Sequence, residues 1–296
     1  MKAEPKTILR FLLEHYQLDS IGWGTPFLLV PEATNVDELT IQKLIKAKEK
    51  DLYLSSISPL GVPFNNLKGS SKEIQRLKFI EKGRPGSACP KKFLSLNKEF
   101  TEEAICTASR QYQSLKLESL KDQLSLQEYK KQSEDIMQST CLCVGLGTTA
   151  LIVNEIERKT EGNEVLICPG PNMAYFSKKV SLKQMIGHIY GRESIIERTD
   201  RPHMFVKELG LYVNYLKNKL ENMDGEVSQK ERVNQRKFVE NLKSGITYYN
   251  ELFYSEHNYF SQMNENITEA LDQFWMEMIL IEEMLAAPEL ATAEVH

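Results

Sequence analysis

The stretch ITEALDQFWMEMILIEEML, residues 267–285, decides the fold class of this chain. Ile267, Leu271, Phe274, Met278, Ile281 and Leu285 recur at spacings of 4, 3, 4, 3 and 4. With 3.6 residues per turn, that spacing puts all six on one side of a helix. Two upstream stretches read the same way. Val206, Leu209, Val213, Leu216 and Leu220 are spaced 3, 4, 3, 4, and so are Val239, Leu242, Ile246, Tyr249 and Phe253. Burying one Leu-sized side chain is worth about 1.5–3 kcal/mol, so three such stripes do not stay in water. Residues 199–296 are therefore expected to form an antiparallel helical bundle.

Residues 1–198 read as a small α/β region that carries every cysteine, so the expected class is α+β and mostly helical. Ile8 to Tyr16 suits a short helix. Phe27 to Val30, apolar and bounded by Pro26 and Pro31, reads as a buried strand. Asn35 followed by Glu38 marks a helix start, with the helix running to about Ala47. Leu52 to Ile57 is a second strand, and Ser58 to Ser71 is loop, rich in Pro, Gly and Asn. Capping boxes at Ser70/Glu73, Ser125/Glu128 and Ser181/Gln184 open three helices, those of Ser70 and Ser181 ending near Gly83 and Gly191. Thr107 to about Ser139 is helical, broken at Ser125. Thr140 to Val144 and Val165 to Cys168 read as short buried strands.

Composition narrows the function classes. The chain has 296 residues and a net charge of -4, which gives no whole-chain nucleic-acid footprint. No window of about 18 apolar residues predicts a membrane span. Charges run through the first residues, against a secretory signal. A cytoplasmic setting follows, in which cysteines are thiols or metal ligands. Charge is also uneven along the chain. Lys68 to Lys92 holds eight basic and two acidic residues, whereas residues 264–296 hold eight acidic residues and no Lys or Arg.

All five cysteines fall within residues 89–168. Cys89 and Cys168 each precede a proline, Cys106 lies just before a helix start, and Cys141 and Cys143 precede two glycines. Residues two apart on a strand point to one face, so a strand at 140–144 lets Cys141 and Cys143 reach one ion. An iron–sulfur cluster, with a redox or cluster-assisted catalytic role, is the leading reading. Its expected ligands are Cys89, Cys141, Cys143 and Cys168, with Cys106 as the spare. Zinc as a staple, with the helices binding a partner, is one alternative; His188 or His203 would then be available as ligands. Another is a metal-free enzyme using one thiolate, at Cys89 or Cys106, or binding an anion. Ordinary buried thiols remain the plain alternative.

Weaker patterns surround these. Gly145, Gly147 and Thr148 sit in GLGTTA, which matches a dinucleotide-binding turn, although a tight strand-to-helix turn explains the glycines as well. Arg84 and Arg110, with Lys91 and Lys92, flank the cysteines and suit an anionic small molecule or a solvated basic face. His188 and His203 have no partner carboxylate legible nearby in sequence. The helices also suit self-association or a protein partner. No H-E-x-x-H, Walker A or G-x-S-x-G pattern is present.

Several strings resemble a family of uncharacterised bacterial proteins. They are SIGWGTPFLLVPEATNVD (20–37), SPLGVPFNNL (58–67), ACPKKF (88–93), ICTASRQY (105–112), CLCVGLG (141–147), ICPGPNMAYFSK (167–178) and RPHMFVKEL (201–209). In that family the matching segment forms the C-terminal part of a longer chain. The resemblance implies that Met1 opens a fragment or a split gene product, with part of a site elsewhere. It carries over no catalytic residue.

Overall fold

A computed structural model describes residues 5–157, 162–198, 201–221, 229–256, 259 and 264–286. Its helices are α1 (Pro5–His15), α2 (Glu38–Lys46), α3 (Ser71–Glu81), α4 (Arg110–Lys121) and α5 (Leu126–Gln138). They continue with α6 (Leu142–Val153), α7 (Leu182–Ile189), α8 (Met204–Glu221), α9 (Gln229–Ser255) and α10 (Asn264–Ala286). Strands β1 (Leu52–Ser55) and β2 (Phe64–Leu67) pair antiparallel, with Leu52 opposite Leu67. No other sheet occurs among the described residues, so the protein is α+β and mostly helical, as the pattern predicts.

The chain divides into two compact units: Met1–Asp19 with Arg198–His296, and Ser20–Glu197. In the first unit the three stripes meet in one core. Val213, Ile246 and Met278 are wholly buried, and Leu216 and Leu271 nearly so. Phe205 stacks on Tyr249 while Tyr212 meets Phe238, so α8 and α9 run in opposite directions. Arg236 donates to the Leu285 carbonyl and Lys243 pairs with Glu282, which makes α9 and α10 antiparallel as well. Helix α1 joins this core through Ile8 and Phe11, a partnership that the continuous division 1–198 and 199–296 does not contain.

His203 precedes α8. Its ring packs edge-on against Phe205 and Phe253, and its Nδ1 accepts the Phe205 N–H at 3.2 Å. Burial, helped by Arg201, pushes its pKa from 6.5 down to about 4. Between those values the unfolded chain binds a proton that the folded chain does not. Stability therefore falls as pH drops from 6.5 and stops falling below about 4, a loss of about 3 kcal/mol in all. Urea unfolding of wild type and His203→Gln across this range is expected to show the wild type losing more stability on acidification. Parallel curves for the two proteins would contradict the assignment.

In the second unit all three expected helix starts are found. Two are full capping boxes, and that at Ser70 is a cap without the reciprocal bond. Ser70 accepts from the Glu73 N–H, and the Glu73 carboxylate takes the Gly69 N–H. Ser125 and Ser181 cap α5 and α7 reciprocally with Glu128 and Gln184. Five expectations are corrected. Val165–Cys168 forms no strand. Phe27–Val30 is not a strand: Thr25–Leu29 forms a 3-10 turn, because Pro26 sits at its start and Thr34 bonds back to the Phe27 carbonyl. Asp37, rather than Asn35, caps α2. The predicted loop 58–71 contains β2. Thr140–Val144 is the beginning of α6 rather than a strand, with Cys141 at the cap position.

Leu126–Val153 is the one described stretch long and apolar enough by composition to cross a membrane. It is two helices, broken at Ser139–Cys141, and Val144, Gly145, Thr148 and Thr149 are buried against protein.

Candidate functional site

The loop carrying Cys89 is fixed to the start of α4. Ser87 N–H donates to the Ala108 carbonyl at 3.1 Å, and Arg110 N–H donates to the Ser87 carbonyl at 2.9 Å. Further on, Asn97 and Ile105 exchange two backbone hydrogen bonds. Between these ties Leu94 turns inward onto Ile57, Leu142 and Leu166. The Leu94 backbone hydrogen-bonds Cys143, and Cys89 Sγ lies 3.9 Å from Ser95 Oγ. Cys89, Cys106, Cys141 and Cys143 thus share one neighbourhood, near enough to influence one another's ionisation. Cys168 is exposed, just before a separate 3-10 turn, Pro171–Tyr175.

Sharing a neighbourhood is not ligation. Among the described residues, no three His, Cys, Asp or Glu side chains are grouped so as to hold a metal ion. The iron–sulfur reading on Cys89, Cys141, Cys143, Cys168 and Cys106 is thereby overturned, and the zinc alternative with it. The cause is local. Cys141 is the extended N-cap of α6 and Cys143 lies within its first turn, so the two do not share one strand face as the metal reading requires. Nor is Cys106 a ready thiolate, because burial pushes its pKa up to about 11. Burial, then Cys141, raises that of Cys143. None of the five cysteines forms a disulfide.

The dinucleotide reading also fails on helix geometry. Gly145, Gly147 and Thr148 lie within α6. The Gly145 N–H points back to the Cys141 carbonyl, and Thr148 Oγ1 donates to the Val144 carbonyl at 2.7 Å. Amides used along the helix cannot cradle a phosphate. Gly145 has a packing role instead: a Cβ there would sit 2.7 Å from the Leu166 Cβ. Arg110 clamps the loop, donating to the Gly86 carbonyl at 3.3 Å with its guanidinium over the Phe79 ring. Arg84 is exposed.

The structure adds a polar cluster that the sequence reading missed. Asn66 donates to Tyr53 Oη at 3.0 Å, and Tyr53 Oη donates to Glu73 at 3.3 Å. Burial, then Glu73, pushes Tyr53 up to about 12. With Arg76 and Thr140 these residues line a cavity of ≈ 20 Å³, room for about one water molecule. Lys72, beside it on α3, is 4% exposed and donates to Gln75 at 2.8 Å. Burial lowers its pKa, against the pull of Cys141 and Glu164. The cluster fastens α3 to the hairpin, and Arg76 ties α3 to the end of α5 by donating to the Met137 carbonyl at 3.3 Å. The cavity as it stands is too small to admit a substrate.

The outer face of α10 carries a row of exposed apolar side chains. Met276, Leu280 and Met284 lie one turn apart, roughly opposite the buried stripe, and are 57%, 56% and 56% exposed. Asp272 continues this row by one turn, Glu269 and Glu277 lie on one side of it and Glu283 on the other. The helix contains no Lys or Arg.

The fold and surfaces thus define a mostly helical α+β protein with no metal site among its described residues and one acidic, methionine-lined helix face. Comparison with protein-family models, curated proteins and solved structures finds no match.

Proposed function

We propose that this protein is an interaction module in which the outer face of α10 receives a segment that is apolar at its centre and basic at its edges. The observation that carries this reading is the row Met276, Leu280, Met284, more than half exposed on a helix whose charges are all acidic. Apolar rows rimmed by charge are characteristic of contact surfaces. Methionine, flexible and polarizable, adapts to partners of differing shape. The acidic edges select a basic partner and speed its approach. A reducing cytoplasm is the natural setting for a chain with five cysteines and no disulfide.

A synthetic amphipathic peptide, leucine on one face and lysine on the other, tests this by fluorescence titration against the full chain. The wild type is expected to bind it, and added salt to weaken it. Leu280→Glu is expected to bind at least about tenfold less tightly, about 1.4 kcal/mol, while its melting temperature stays unchanged. A peptide with the same residues scrambled out of register serves as control. Equal binding by Leu280→Glu, or by the scrambled peptide, would rule the reading out.

A further inference from the structure

The second unit carries a surface of opposite character. In loop 84–98, Phe93 is 73% exposed and Leu96 69%, while Leu94 between them is turned into the protein. Two features hold that display in place. Lys92 adopts a left-handed backbone, φ 54°, which a non-glycine residue takes only when its surroundings impose it. The Ser95 N–H then closes a turn on the Lys92 carbonyl. Arg84, Lys91, Lys92 and Lys98 are exposed along this loop, and Lys92 lies 4.0 Å from Glu103. The base of the loop is clamped by the Ser87–Arg110 and Asn97–Ile105 bonds, so little conformational freedom is lost on docking.

We propose that the segment received by α10 is loop 84–98 of a second copy of this chain. The proposal rests on the reading of α10 given above. It is argued from complementarity between two surfaces already present on one chain. One is an apolar row with acidic edges, and the other is a pair of apolar tips on a basic loop. Joining two α10 faces would set Glu269, Asp272 and Glu283 of each copy against those of the other. Joining α10 to the loop sets acid against base at the rim and apolar against apolar at the centre. Such an interface uses different patches on the two copies. The pair as a whole keeps one loop, on one copy, and one helix face, on the other, unfilled, and association can continue beyond a pair.

The experiment is sedimentation of the full chain over a range of concentrations, followed by mixing of two variants. Wild type is expected to self-associate, less so in high salt. Phe93→Asp loses the loop and Leu280→Glu loses the helix face, so each alone is expected to stay monomeric. Mixed, they are expected to form a one-to-one pair, because each supplies what the other lacks. Circular dichroism and melting confirm that both variants are folded, as expected for exposed positions. Charge reversal provides a second route: Lys91→Glu with Lys92→Glu is expected to weaken association at least tenfold, and Glu269→Lys with Glu283→Lys on the mixing partner to restore it.

Wild type that stays monomeric, or mixed variants that do not pair, overturns the proposal. If wild type stays monomeric yet binds the leucine–lysine peptide through Leu280, the α10 reading stands and only the identity of the partner is lost. If it does neither, both readings fall.

Discussion

Met278→Ala is expected to destabilise the first unit by about 2–5 kcal/mol, whereas Met276→Ala, two residues away on the same helix, is expected to change stability by no more than about 0.5 kcal/mol. The chemical change is identical at the two positions. Met278 is wholly buried in the core shared by α1, α8, α9 and α10. Removing its side chain gives up the transfer free energy of the missing atoms and leaves a void that a packed core only partly closes. Met276 is 57% exposed, so truncation leaves no cavity. The chain has two tryptophans, and Trp275 packs against the bundle core while Trp23 packs against the core of the second unit. Urea unfolding followed in Trp23→Phe and Trp275→Phe backgrounds therefore reads each unit alone. The shift should appear in the Trp275 signal. In protein dilute enough to be monomeric, comparable losses from Met276→Ala and Met278→Ala would mean that the chain itself covers the outer face of α10, contrary to the docking reading.

That contrast also bears on what the sequence makes legible. The buried stripes of α8, α9 and α10 could be read because a 3.6-residue period is a local signal repeated over many turns. The helix starts at Ser70, Ser125 and Ser181 were equally local, since each capping-box pattern spans four residues. The outer row Met276, Leu280, Met284 lies inside the most informative stretch of the chain. Once the opposite stripe has been taken as the core, the row has no intramolecular partner, which is what makes it a candidate surface. Short apolar runs were not legible. Phe27–Val30 and Thr140–Val144 are each about one turn long, and periodicity over so few residues cannot separate strand from helix. The second error propagated. Cys141 and Cys143 share a face only on a strand, and the helix start that replaced it removed the geometry on which a metal site depended. The polar cluster of Tyr53, Asn66 and Glu73 depends on β2, hidden in a run of turn-forming residues, so its register could not be anticipated.

A second large effect is expected at Gly86, where two independent constraints coincide. Its φ is +79°, in the left-handed region, and a Cβ built there would lie 2.7 Å from both the Cα and the N of Arg110. The obstacle is backbone at the N-terminus of α4, which cannot rotate away as a long side chain could. A left-handed backbone costs a non-glycine residue about 1–2 kcal/mol, and more when the side chain is β-branched. Forcing a packed region apart typically costs a further 1–3 kcal/mol or so. Gly86→Val is therefore expected to destabilise the second unit by about 3–5 kcal/mol. Gly147→Ala offers the opposite case. It lies inside α6 with nothing within 4 Å of its would-be Cβ, so the same kind of change is expected to stabilise by about 0.5–1 kcal/mol. Urea unfolding read by Trp23 checks both. Gly86→Val should also free loop 84–98 from its tie at Ser87–Arg110, so proteases should cut near Lys91 and Lys92 faster than in wild type. Self-association should weaken as well, because Phe93 and Leu96 would no longer be held out on a fixed base. If Gly86→Val kept wild-type stability and a protease-resistant loop, the clamp at Arg110 would not be what positions those tips, and the rigid display would need another cause.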